Sequence, residues 1–505
     1  MDTGLSYDSQ SESHWRLLVD HGFVTPQVRD WQYEGSGTKS DPYVDIMAEF
    51  EVSQEIATLG LSLFVLGWAV GPLIWAPMSE LYGRQYVYFV TLGVLAFFNA
   101  GTAGAQNVET VLVLRFLGGC FGASPFTNAA GVIADMFAAR ERGLAMSLFS
   151  AAPFMGPGSS VFVGVVASSS ANNTTAVLGP IVGGFIGESV GWRWIEGVMA
   201  ILSGVVWVLG TFAAPETYAP VLLKRRAAKL SQMTGMVYLS KAEKDRGPTT
   251  LGRVLQTNLL RPWVLLFREP IVFLLSLYMA VIYGTLYMLF GAYPIVYREQ
   301  RGWSAGVAGL PFIGVAIGML ASVVYNVFIE NPRYLRNVDK GGGVTIPEDR
   351  LPPCLVGAVA LPIGLFWFAW TNSPSLPWAA STAAGIPFGF AMVLVFLSVM
   401  NYLIDSYTIY AASVLAANSV LRCIFGFAFP LFTTQMYAGL GIHWASTVPA
   451  LLAVVCLPFP FLFYRYGHVV RKRSKFAREA AEFARGLREK ATTSDESDEV
   501  TKDEE

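Results

Sequence analysis

The chain has 505 residues, 53% of them hydrophobic and only 14% charged, with a mean hydropathy of +0.46 and a formal net charge of −2. A soluble domain of this length needs more charge to cover its surface, so the composition argues against an ordinary globular enzyme and selects the membrane class, and recurring apolar runs of about 20 residues make it an all-α membrane protein. The charge gathers at the ends: residues 1–55 carry 11 acids against 3 bases, and residues 491–505 carry 7 acids against 1 base.

In chain order, residues 1–55 read as an acidic cytoplasmic-type tail, solvated and without a packed core. The start, MDTGLSYDSQ, lacks a basic region followed by an apolar core, so no cleavable signal peptide is expected. Apolar runs of spanning length follow at 56–77, 86–105, 110–134, 143–190 (interrupted) and 193–213, which form an N-terminal half over 56–213. A polar stretch, 214–266, reads as a central cytoplasmic loop. The second half, 267–466, holds runs at 269–293, 304–329, 353–372, 377–402, 410–436 and 443–466, and a charged tail closes the chain at 467–505. These make about eleven spans. Cys120, Cys354, Cys423 and Cys456 all fall in apolar runs and read as small packing residues, so neither a disulfide, a metal nor a cofactor is expected.

Arginine and lysine placement sets the orientation. Arg84, Arg140, Arg142, the KRRAAK run at 224–229, Arg333, Arg336, Arg350 and the RKRSK run at 471–475 mark one side, which is cytoplasmic by the positive-inside rule. Arg193, Arg298 and Arg301 fall on the other side as exceptions. Eleven spans with the C-terminus inside leave one span short of a six-plus-six arrangement, and the gap falls before Ile56.

The first basic loop reads GPLIWAPMSELYGRQ, residues 71–85. Gly83 permits a tight turn, and Glu80 with Arg84 supplies charge-assisted bonds able to hold a gate shut. LVLRFLGGCFGA, residues 112–123, puts Arg115 inside a span, where a charge is costly and normally faces a partner or a watery cavity. ADMFAARERG follows at 134–143 with Asp135 at its head. These stretches, with WRWIE (192–196), PETYAPVLLKRRAAKL (215–230) and NYLIDSYTIYAASVLAANSVLRCIFGFAFPLF (401–432), resemble the major facilitator superfamily, in particular the twelve-span drug:proton antiporter branch of fungi. The resemblance covers nearly all of residues 46–476. It implies a fold of two six-helix halves, a charge cluster of Glu80, Gly83, Arg84 and Asp135, and proton coupling with Arg115 and Arg422 as candidates.

The resemblance also gives meaning to an odd tract. The family's fifth helix carries a Gly-Pro repeat, here Gly156-Pro157 and Gly179-Pro180, followed by Gly183 and Gly184. Residues 158–176, rich in Ser, Asn and Thr, stand between the two pairs. Without them, Gly156, Gly179, Gly183 and Gly187 fall at four-residue steps, a small-residue ridge for close helix approach. The tract is therefore read as an insertion of intron character that interrupts helix 5. A genuine loop is the alternative, and Asn172-Asn173-Thr174 spells a glycosylation acceptor. Helix 1 is also missing: a stretch similar to the family's N-terminal tail meets the approach to helix 2 at Val44-Asp45.

The function expected from this resemblance is secondary active export of small hydrophobic or cationic compounds by proton antiport. Tyr283, Tyr287, Phe290 and Tyr293, at steps of three and four, are candidates for the wall of a substrate cavity. A polyamine exporter is one alternative, and a non-transporting transporter-like sensor or scaffold, or an inactive product of a faulty gene model, is another. No glycine loop with lysine, metal-ligand spacing or nucleophile elbow is present, which argues against an enzyme and against ATP drive. The expected partners are a small-molecule substrate, protons and the lipid bilayer, with no nucleic acid. The protein is expected to be a multi-pass monomer in the plasma membrane.

Overall fold

The computed structural model describes residues 42–136, 175–213, 215–238, 251–340 and 346–483. Within them all regular structure is helical. The N-terminal half comprises α1 (Pro42–Phe50), α2 (Gln54–Tyr82), α3 (Arg84–Ala103), α4 (Val108–Met136), α5 (Thr175–Val190) and α6 (Trp192–Ala213). The connection contributes α7 (Ala219–Thr234) and α8 (Leu251–Arg268). The C-terminal half is built from α9 (Pro270–Tyr293), α10 (Ala305–Ala308), α11 (Phe312–Tyr325), α12 (Asn331–Lys340), α13 (Pro352–Thr371), α14 (Trp378–Ala383), α15 (Gly385–Ser406), α16 (Ala411–Cys456) and α17 (Pro458–Arg473).

Nine stretches among the described residues are long and apolar enough to cross a bilayer. One of them, 408–473, is two spans. Its helix α16 leaves helical geometry at Gly441 (φ 73°, ψ 167°), and the Tyr437 hydroxyl lies 2.8 Å from the Ser446 hydroxyl. Residues nine apart on a straight helix would be roughly 13 Å apart, so the chain reverses at Gly441. Helix α5 has 16 residues, about 24 Å at helical rise, which is short of the ~30 Å hydrocarbon core. It is the described part of the interrupted span, and with it the count reaches the eleven expected from sequence. Residues 1–41 and 158–174 lie outside the described residues, as do Gly156, Pro157, Arg140 and Arg142; Thr175 and Ala176 open α5.

Both halves are clasped by glycine. Helices α2 and α4 run side by side in the same direction, and a Cβ on Gly119 would stand 2.0 Å from the Phe64 carbonyl oxygen, one on Gly67 2.4 Å from that of Phe116. The second half repeats the device between its own second and fourth spans: a Cβ on Gly318 would meet the Ile386 carbonyl oxygen at 2.0 Å, one on Gly389 that of Val315 at 2.1 Å. Backbone on backbone is the way membrane helices gain dispersion contact where lipid is as apolar as leucine. The C-terminal half opens with α9, its most enclosed span, which packs along α16. The corresponding opening span of the first half has no described counterpart, and α2 lies against α16. Helix α6 turns Val205, Val208, Leu209 and Phe212 outward, a lipid-facing stripe.

The ends of the bundle differ as the basic loops require. At the end away from those loops, the Arg193 guanidinium donates to the Ala103 and Ala105 carbonyls at 3.0 and 2.7 Å and pairs with Glu49. Arg301 donates to the carbonyls of Leu376 and Ser373 at 2.9 and 2.5 Å. Arg193 and Arg301 thus tie down helix ends and loops at this end, where cations meet exposed carbonyls. Helix α1 docks at this same end, with Ile46 and Phe50 against Trp192, Ala105 and Val111. That places residues 42–50 of the acidic segment opposite the basic loops.

Candidate functional site

Three groups of residues stand out in the structure. The first is the turn between α2 and α3. Gly83 has φ 101° and ψ 155°, a region that belongs to glycine, and a Cβ there would lie 2.1 Å from the Glu216 carboxylate. That carboxylate accepts from the backbone N–H of Arg84 (3.0 Å) and Gln85 (3.3 Å), and from those of Thr217 (3.1 Å) and Tyr218 (3.0 Å). An anion on the free amides at a helix start is the favoured arrangement. Arg84 lies over the Tyr218 ring, 5.2 Å from its centroid. The turn is thereby locked to the segment after α6. Glu80 stands near the end of α2 and Asp135 near the end of α4, at the same end of the bundle; the Asp135 side chain lies outside the described side chains.

The second group is the ion pair Arg115–Glu196, which joins α4 to α6; Glu196 is almost wholly enclosed, Arg115 is partly exposed, and the Arg115 Nε has no hydrogen-bond partner. Sequence singled out the arginine and passed over the acid. An arginine remains charged at all working pH, so of the two only the carboxyl is able to take up and release a proton.

The third group lies where the two halves meet. Val65, Trp68 and Ala69 of α2, Ala123 of α4, Tyr283 of α9 and Cys423 of α16 form one buried cluster, with Phe64 and Tyr287 packed on it. A Cβ on Gly426 would touch both Val65 and the Tyr283 ring at 3.0 and 3.1 Å. The Arg422 guanidinium lies 4.7 Å from the centroid of Tyr283 and 5.1 Å from that of Phe396, and it is 2% exposed. The Tyr283 and Tyr287 rings are 4.9 Å apart and their hydroxyls 3.4 Å apart. Phe290 and Tyr293 continue the row into the second half, against Phe312 at 5.3 and 4.5 Å. Of the four aromatic residues singled out in the sequence, Tyr283 and Tyr287 thus stand between the halves, while Phe290 and Tyr293 pack within one of them.

A second junction runs through α5. The space around Gly183 is open, whereas a Cβ on Gly184 would stand 2.8 Å from the Ala305 carbonyl oxygen, and Phe185 covers Gly306. The Glu188 carboxylate accepts from the Gly306 N–H at 3.1 Å. Gly179 and Pro180 are on α5, in the part whose side chains are not described. At the basic end of the second half, Arg471 grips Glu348 through two bonds of 3.0 and 2.5 Å, and Arg350 pairs with Asp405 at 3.0 Å. Glu196, Glu216 and Glu348 are the residues that sequence reasoning missed. Glu196 closes the quoted WRWIE stretch and Glu216 is the second residue of PETYAPVLLKRRAAKL, so their signal lay in the motifs but not in any charge count.

Two helical halves with paired glycine clasps, meeting at a buried aromatic seam, define a multi-pass membrane carrier. The family model of the Major Facilitator Superfamily matches residues 42–430. The chain belongs to that superfamily. It is 53% identical over 525 residues to the Major facilitator superfamily multidrug transporter mdrA of Aspergillus fumigatus, covering 95% of this chain and 83% of that protein. It is likewise 53% identical over 530 residues to the MFS-type efflux pump MFS2 of Trichophyton rubrum, covering 96% and 86%. Both matches run over more positions than the 505 residues of this chain, so each relative holds internal residues without a counterpart here. Among solved structures, the proton:xylose symporter XylE superposes with a TM-score of 0.55 at 15% identity, covering 84% of this chain and 90% of the other. The human organic anion transporter MFSD10 superposes with a TM-score of 0.50 at 15% identity, covering 83% and 87%. These two likenesses speak to the fold alone.

Proposed function

We propose that this chain's fold serves the export of small hydrophobic compounds across the plasma membrane, driven by protons moving inward. The observation that carries the reading is the aromatic seam of Trp68, Tyr283 and Tyr287 at the junction of the halves, the place where alternating access exposes a substrate to each side in turn. The printed names of the fungal relatives, a multidrug transporter and an efflux pump, support the outward direction. In this account Glu196 carries the proton, and Arg115 holds its charged form in place until the pair separates. Glu216 and Gly83 steady the cytoplasmic turn in the closed state, with Glu80, Arg84 and Asp135 completing the gate. The protein acts as a monomer.

Polyamine export is less well supported, because the C-terminal spans bring no acid to the seam. A transporter-like protein that does not transport is the second reading. It is favoured by the absence of any apolar run of spanning length between Met1 and Ser53, and by the polar tract at 158–176. The test compares two proteins in vesicles with an imposed pH gradient. One is the present chain; the other lacks 158–176 and carries a first span grafted from the Aspergillus relative ahead of Asp45. Gradient-driven export by the repaired protein supports the proposal. Export by neither protein supports the non-transporting reading.

A further inference from the structure

We infer that α8 is an in-plane membrane anchor: its outer face lies at the headgroup–acyl boundary on the basic side of the bundle, where it takes anionic phospholipid in preference to neutral lipid. The inference stands apart from the direction and driving force of transport. Helix α8 has 18 residues, about 27 Å at helical rise, yet it is not among the nine stretches apolar enough to cross a bilayer. It ends at Arg268 and α9 begins at Pro270, so a single residue ties it to the level at which a span enters the membrane. Pro262, Leu265 and Leu266 are buried, where α8 meets α2, α9 and α16. Leu259, Leu260, Trp263, Val264 and Phe267 are exposed, Leu260 to 58% and Phe267 to 72%.

These five recur at steps of three and four and cover an arc of about 140° at 100° per residue. A helix bathed in water turns a polar face away from its core, and so continuous an apolar surface there would be an association site. At a bilayer surface it is the face that enters the lipid. The Trp263 and Phe267 rings stack, 6.4 Å between centroids and 13° between planes, and aromatic side chains of this kind collect at headgroup level. Helices α2 and α16, on which α8 lies, pack together and also turn apolar side chains outward, Ile74 and Ile424 among them. The bases decide the charge of the lipid. Helix α8 contains Arg253, Arg261 and Arg268 and no acid; α7 contains Lys224, Arg225, Arg226 and Lys229, again with no acid. Arg268 is exposed and Arg261 half-buried, and helical spacing puts both at one edge of the apolar arc, beside Val264. The acid that follows, Glu269, is buried and accepts the Tyr407 hydroxyl at 2.9 Å, so it is turned into the protein and away from the headgroups. A basic edge on an apolar face is what an anionic membrane surface holds.

The test places the purified full chain in phosphatidylcholine nanodiscs that contain a lipid spin-labelled near the top of one acyl chain, with either a phosphatidylserine or a phosphatidylcholine headgroup. Quenching at Trp263 is read as the fluorescence difference between the parental chain and Trp263→Phe. Both labelled lipids should quench it, and labelled phosphatidylserine should do so at about fivefold lower content, the worth of one base beside an anionic surface. Replacing both arginines, Arg261→Gln with Arg268→Gln, should bring the two lipids within about twofold while quenching by phosphatidylcholine stays. Equal quenching by the two lipids in the parental chain would overturn the inference, as would a phosphatidylserine preference that survives the double replacement. So would a Trp263 signal that neither lipid quenches. If aqueous acrylamide then quenches it, the stripe faces water; if acrylamide also fails, protein covers it, whether a second copy or a segment of this chain outside the described residues. If the double variant fails to fold, the ranking of the two lipids in the parental chain decides alone.

Discussion

Replacing Gly83 by alanine strikes the α2–α3 turn in two separable ways. The backbone there, φ 101° and ψ 155°, is open to glycine alone, and holding alanine in it costs about 1–3 kcal/mol. The new methyl would also occupy the place of the Glu216 carboxylate, 2.1 Å away. Moving that carboxylate breaks its bonds to the amides of Arg84 and Gln85, at 3.0 and 3.3 Å. Losing an anionic cap of a helix start costs about 1–2 kcal/mol. Gly83→Ala should therefore destabilise by about 3 kcal/mol, and Glu216→Ala by about 1–2 kcal/mol. The two changes remove one shared contact, so the double variant should be more stable than the sum predicts by about 1–2 kcal/mol. Denaturant unfolding in detergent, followed by tryptophan fluorescence, measures all three. Strict additivity, or a Gly83→Ala protein as stable as its parent, would refute the reasoning.

Glu80→Ala in the repaired transporter should cripple export while membrane insertion, read by protease protection, stays normal. Glu196→Gln should abolish the dependence of export on the pH gradient, whereas Arg115→Lys should slow export and keep some dependence; gradient-jump flux assays separate the two. Gly318→Ala should cost about 1–3 kcal/mol, since its methyl would press on the Ile386 carbonyl, and unfolding in detergent checks it. At Glu49, burial pushes the carboxyl pKa up, but hydrogen bonds from Trp192 and Arg193 outweigh it and hold the group below the usual carboxylate range. A depressed folded pKa contributes stability above the unfolded value and loses it as pH falls through the folded one. The docking of α1 should thus loosen only in acid, below about pH 4, seen as faster amide exchange over residues 42–50.

Much of the fold was legible because a membrane leaves few solutions: each apolar run of about twenty residues must be a helix. Eleven such runs and their basic loops gave the two halves before any contact was known. The reversal at Gly441 was legible too, since it separates the runs at 410–436 and 443–466. The site was legible only where chemistry is local. Gly83 and Arg115 stand out because glycine in a charged turn and arginine in an apolar run are both anomalies. Their partners, Glu216 and Glu196, lie 133 and 81 residues away, and no periodicity announces a contact across such a distance. The glycine ridge shows the same limit. Four-residue spacing nominates Gly183, yet the close approach is made by Gly184, because the position of Ala305 decides which face of α5 is covered.

The most direct test of proton-driven export is substrate efflux from proteoliposomes holding the repaired protein, with the pH gradient imposed, collapsed by a protonophore, and reversed. Efflux that follows the gradient in size and sign is the predicted result; efflux at one rate under all three conditions would contradict it.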